Sequence, residues 1–141
     1  MPEKKRNPFK LKDFWGVDSA VVQALQSHSI RTAEQMLAAG CSRAGRAALA
    51  KQTGLTEKAI LELVLLSDLA RLPGVKGIRA RLYYDAGVTS VQKMAGWEPQ
   101  SLLRVTAEFV QRTGFAGVPP LPKEVSSTIA NARNLPAVVE E

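Results

Sequence analysis

The chain is poor in the side chains that most reactions require. It has one cysteine, Cys41, and one histidine, His28. A lone cysteine excludes an intrachain disulfide, and these two residues form no cluster of metal-ligand type, so both read as structural. The acidic residues are scattered over helical surface positions, and no nucleophile stands beside a base. General acid–base, covalent and metal-assisted catalysis therefore lack their groups, and neither an enzyme nor a metal nor a cofactor is expected. The glycines stand singly, so no glycine-rich nucleotide loop is present. Long apolar runs are missing too. The longest, Ala59 to Leu66, is broken by Glu62 and too short for a membrane span, and the N-terminus lacks the apolar core of a signal peptide; a cytoplasmic location is expected.

What the chain does have is enough apolar material, 45%, for a packed fold of one domain. Its net charge of +6 is uneven. Lys4, Lys5, Arg6, Lys10 and Lys12 face only Glu3, which leaves +2 for residues 13–141. Residues 1–13 read as a basic flexible tail, suited either to long-range attraction of phosphates or merely to solubility. Residues 14–136 read as the folded domain, and 137–141 as an acidic tail.

Helical spacing and caps divide the domain. Asp18 or Ser19 opens a helix containing Ala20, Val21, Ala24 and Leu25 that ends near His28-Ser29. Thr32 with Gln35 fits a capping box for a short helix ending at Gly40. Ser42 caps a helix closed by Gly54. From Thr56 to Arg71 the pattern is apolar nearly all round, which belongs in an interior and makes this the central helix. Pro73 and Gly74 then force a tight turn, and a helical pattern resumes after Gly77 until Gly87. Thr89 or Ser90 opens a further short helix, Pro99 suits the first turn of a helix ending at Gly114, and a last helix, Lys123 to Leu135, buries Val125, Ile129 and Ala132.

An internal correspondence runs through this order. Gly16, Val17, Ile30, Thr32 and Met36 align with Gly74, Val75, Val88, Ser90 and Met94 at an offset of 58. Gln52-Thr53-Gly54-Leu55 aligns with Arg112-Thr113-Gly114-Phe115 at 60. The expectation is an all-α fold of two tandem repeats of about 60 residues, 14–70 and 71–136, around the central helix.

The turn between Leu72 and Gly77 can leave the amides of Val75, Lys76 and Gly77 free at a positive helix end. Arg71, Lys76, Arg79 and Arg81 against Asp85 give +3 over residues 71–85, with Tyr83 and Tyr84 either against a sugar or base or in the core. Arg43, Arg46 and Lys51 form a second basic group. The alternative for these arginines is a solvated face, with Arg81 and Asp85 a surface pair.

Leu72-Pro73-Gly74-Val75-Lys76-Gly77, Ala80, Ala86-Gly87-Val88 and Thr89-Ser90-Val91 resemble a helix-hairpin-helix element. Together with Lys51 to Lys58 and Leu121-Pro122, the ordered set resembles a bacterial family of paired helix-hairpin-helix-like domains, described as domain of unknown function 4332, over roughly residues 14–136. The resemblance implies an all-helical fold and no defined activity. Helix-hairpin-helix elements commonly grip nucleic-acid backbones without reading sequence. Carried onto this chain, Gly74, Val75, Lys76 and Gly77 would contact phosphate, flanked by Arg79 and Arg81. Lys76 stands where the second glycine of that pattern falls, and Gly77 comes one residue later.

The expected function is thus non-enzymatic binding of a DNA or RNA backbone through the second hairpin, with a protein-binding scaffold or adaptor as the alternative. Trp15, Trp97, Phe109 and Phe115 would anchor a protein partner if exposed, against a core role for large aromatics. A continuous basic surface around Lys76, Arg79 and Arg81 would favour nucleic acid. An uncharged apolar groove would favour protein.

Overall fold

The apolar run after Thr56 becomes the middle of the molecule. In the computed structural model, which describes residues 8–141, the helix Glu57–Leu69 (α4) is buried continuously from Leu63 to Leu69. It packs on α2 (Ala33–Gly40), α3 (Arg43–Thr53) and α5 (Gly77–Asp85). Ahead of these lies α1 (Ser19–Gln26). After them come α6 (Val91–Ala95), α7 (Pro99–Thr113) and α8 (Pro122–Arg133), with α8 packed on both α6 and α7. The fold is all-α: among the described residues the only extended pairing is one bridge, Lys10 to Thr32. No helix among them is long and apolar enough to cross a membrane.

Local chemistry sets the helix starts. Asp18, Thr32, Ser42, Thr56 and Ser90 each accept an amide hydrogen of the first turn they precede, and Gln35 completes the capping box with Thr32. Pro99 and Pro122 occupy first-turn positions, where no amide is needed. One core runs through both halves, from Leu11 and Phe14 through α4 to Val125, Ile129 and Ala132. Full burial of such side chains stabilises the fold by roughly 1.5–3 kcal/mol each.

The helix stops recur at the offsets seen in the sequence. Gly16 and Gly74, at φ +74° and +78°, are 58 residues apart. Ser29 and Gly87, at +65° and +105°, are 58 apart, and Gly54 and Gly114, at +76° and +68°, are 60 apart. Gly40 differs from these. It ends α2 without a positive φ, and a Cβ built on it would stand 2.5 Å from Val64 Cγ2, so its role is close approach of α2 to α4.

The N-terminal tail differs from expectation where it is described. Residues 1–7 lie outside the described residues. Residues 8–13, assigned to a flexible tail, pack: Leu11 is fully buried, Phe9 meets Phe14 edge-on at 4.8 Å, and the Ala33 amide donates to the Phe9 carbonyl. The apolar Phe9 and Leu11 outweigh the lysines between and after them. Residues 137–141 are likewise held, through Val139 on the core and Glu140 at the α2–α3 corner.

Candidate interaction site

The six hairpin residues do meet on one turn and the helix after it, but few are open. Gly74 is exposed, at φ +78°, with open space where a Cβ would stand. Val75 is buried and gives its amide to the Leu72 carbonyl at 3.1 Å, so that amide is spent on the turn itself. Lys76 is exposed, and its ammonium donates to the Ala70 carbonyl. Gly77 is covered. A Cβ on it would stand 2.4 Å from the Asp13 carbonyl oxygen, and its own carbonyl accepts from the Trp15 amide. A main-chain oxygen of residue 13 thus faces the first turn of α5, where a phosphate was expected.

The two flanking arginines are consumed within the protein. Arg79 Nε pairs with Glu124 Oε2 at 2.8 Å, and its Nη1 donates to the Val118 carbonyl at 2.6 Å, joining α5 to α8 and the loop before it. Arg81 is 7% exposed. It donates to the Trp15 carbonyl at 2.7 Å, pairs with Glu62 at 3.1 Å and Asp85 at 3.4 Å, and lies over the Tyr84 ring. The Arg81–Asp85 pair thus joins a buried guanidinium to an exposed carboxylate and is one arm of a cross-link rather than an isolated surface pair. The expected phosphate-binding cations Arg79 and Arg81 are spent on tertiary structure, and the Lys76 ammonium is bonded within the turn.

Tyr83 belongs to the core and Tyr84 to its edge. The Tyr83 hydroxyl finds no hydrogen-bond partner in good geometry among the described residues. Burial first, and the Glu124 carboxylate second, push its pKa up to about 12. Tyr84 is pushed up for the same leading reason, with Glu62 next.

Apolar surface gathers where basic surface was expected. Trp15, one of the four aromatics weighed between core and anchor, is 49% exposed because its neighbours Asp13 and Gly16 hold the main chain across α5 with the ring outside. Ile78 of α5 and Val118 of the loop before α8 are also exposed: Ile78 lies against Gly117, and the Val118 carbonyl accepts from Arg79. Trp97, Phe109 and Phe115 are partly buried.

A cleft of about 600 Å³ opens on the other side of the turn. Phe9, Ala33, Leu37, Ala70 and Val138 line it, with Arg71 and Lys76 among its polar residues. Cys41 borders it too, while His28 is exposed at the end of α1, its ring near the Ala24 carbonyl. Among the described residues no three His, Cys, Asp or Glu side chains gather as a metal would need.

Asp68 is absent from the sequence reading, and the part played by Arg46 is too. Asp68, 2% exposed within the apolar α4, accepts the Val91 amide at 2.9 Å and pairs with Arg71, so a carboxylate of the first half caps α6 of the second. Arg46, 4% exposed, donates to the carbonyls of Gly40 and Glu140. Arg46 was visible as a basic residue; its partner 94 residues on was not.

No curated protein and no solved structure matches the chain. A family model does match, over residues 16–135, which spans α1 to α8. The chain belongs to the family described as Domain of unknown function (DUF4332).

Proposed function

We propose that this domain is a non-catalytic interaction module whose partner is a protein. The apolar cleft between α2, the end of α4 and the turn carries the reading. Its volume, about 600 Å³, falls in the range that encloses a ligand group or an anchoring side chain. Its lining is mainly apolar, with Phe9, Ala33, Leu37, Ala70 and Val138 around the opening, which suits an apolar anchor of a protein partner. The internal employment of Arg79 and Arg81 supports the same choice, since it removes cations from the competing surface. We also infer that the two halves are copies of one unit. The matching positive-φ positions and the matching caps Thr32 and Ser90 support this.

Contact with a nucleic-acid backbone is the second reading, supported by the exposed turn at Gly74 and Lys76 and by the net charge of +6. One pair of measurements separates the two. A photo-crosslinking residue at Leu37, in the cleft, should yield protein adducts that disappear with Ala38→Arg and are absent when the crosslinker replaces exposed Ala47. Fluorescence polarisation with duplex DNA, single-stranded DNA and RNA across a salt series covers the other. Binding that weakens with salt and collapses in Lys76→Glu, without cleft adducts, would transfer the assignment to nucleic acid.

A further inference from the structure

Residues 136–141 lie across the α2–α3 corner in the manner of a bound peptide. The Glu140 amide donates to the Cys41 carbonyl at 2.7 Å, and the Glu140 carbonyl accepts from Arg46. The Glu140 carboxylate accepts the Arg43 amide hydrogen at 2.9 Å, at the first turn of α3, where a negative charge is favoured. Arg43 Nε donates to the Glu141 main-chain oxygen, and Arg71 reaches the Pro136 carbonyl at 2.9 Å. Val139 packs on the core, and Val138 forms a wall of the cleft.

Arg46 makes this corner a built site. A guanidinium so deeply buried ordinarily meets a carboxylate, yet its partners among the described residues are two carbonyls, one of them supplied by Glu140. The Cys41 carbonyl needs a hydrogen-bond donor, which a peptide main chain supplies at every residue but proline and a DNA backbone lacks. The hold on the segment is nevertheless small. Five of its six residues are exposed, only Val139 being partly buried, and few buried contacts mean low local stability.

We propose that the α2–α3 corner is a docking groove for an extended acidic segment of a protein partner, and that residues 136–141 are its resident, displaceable occupant. This rests on the protein-interaction reading and extends it: the partner segment carries a glutamate for the Arg43 amide, a main-chain amide for Cys41 and a β-branched residue beside the glutamate. The resident segment competes at an effective concentration on the order of millimolar, so it sets a threshold that a partner must exceed.

The test uses a fluorescein-labelled peptide spanning residues 134–141 and the full chain as wild type, as Glu140→Lys, and as Val139→Ser, each verified as folded by circular dichroism. Hydrogen exchange at the Arg43 and Glu140 amides reports release of the resident segment. Released variants should bind the peptide at least tenfold more tightly than wild type, and binding should vanish when the peptide's glutamates are replaced by lysine. A released, folded variant that binds no more tightly than wild type would overturn the groove. So would protection of the Glu140 amide equal to that of α4 in the wild type, or concentration-dependent dimerisation of the variants in place of peptide binding. Failure here with cleft adducts intact removes only this inference; failure of both removes the protein-interaction reading as well.

Discussion

At the scale of single residues, Ser29 and Gly87 are a matched pair with one mismatch. Each follows a helix in the left-handed region, and each is closed by the same two bonds: Ser29 to Gln26 and Ile30 to Leu25 after α1, Gly87 to Tyr84 and Val88 to Tyr83 after α5. A residue with a Cβ pays about 1–2 kcal/mol in that region, and glycine gives back part of this as unfolded-state entropy. Ser29→Gly should therefore stabilise the protein by about 0.5–1 kcal/mol in urea denaturation, and Gly87→Ala should destabilise it by about 1 kcal/mol. No neighbour stands within 4 Å of a Cβ at Gly87, so the loss would be purely one of backbone. Tyr83 gives a second residue-scale expectation. Its buried hydroxyl has the Thr128 side chain near it but in geometry too poor for a full hydrogen bond, so Tyr83→Phe should stabilise by at most about 1 kcal/mol at neutral pH. With the folded pKa raised from 10 to about 12, the folded state holds a proton that the unfolded state has lost. Wild-type stability then falls between pH 10 and 12, and the advantage of Tyr83→Phe widens over that window in denaturation curves. The Thr32 capping box was legible because donor and acceptor lie three residues apart. Arg81 was not, because Glu62 and Trp15 lie 19 and 66 residues away and no local pattern names them.

At the scale of elements, α4 was legible for a reason of composition and its partner helix for a reason of caps. An apolar surface all round can only be satisfied by enclosure, and Thr56 fixes where the helix begins. What the pattern does not contain is the distance of approach. Gly40 reads in sequence as a stop, whereas in the fold its missing side chain lets α2 lie on α4, with Val64 Cγ2 at the place a Cβ would need. Gly40→Ala should accordingly destabilise by about 1–3 kcal/mol despite the better helix propensity of alanine, as thermal and urea denaturation would register. A neutral or stabilising result would mean that Val64 turns aside at little cost. Asp68 was illegible for the opposite reason: on an apolar helix a carboxylate looks misplaced until α6 brings the Val91 amide to it.

At the scale of the whole molecule, the question is whether two similar halves behave as one. A tandem array in which each unit keeps its own core unfolds in steps, since its interface is the weaker part. Here the core is continuous across the halves, and polar links stitch it shut. Asp68 of α4 caps α6, Arg81 of α5 holds the Trp15 carbonyl and Glu62, and the Trp15 amide is bonded to Gly77. Unfolding one half would take from the other the apolar core it shares and the links made by Asp68 and Arg81, leaving little to hold it. The chain should therefore unfold in one cooperative transition. The two tryptophans lie in different halves, so the Trp97→Phe variant reports on the first through Trp15, and Trp15→Phe on the second through Trp97. Their urea midpoints, corrected for each variant's stability by circular dichroism at 222 nm, should coincide. Midpoints that separate, with one half losing its signal while the helical content of the other persists, would show that the links across α4 and α5 are too weak to make the repeats a single body.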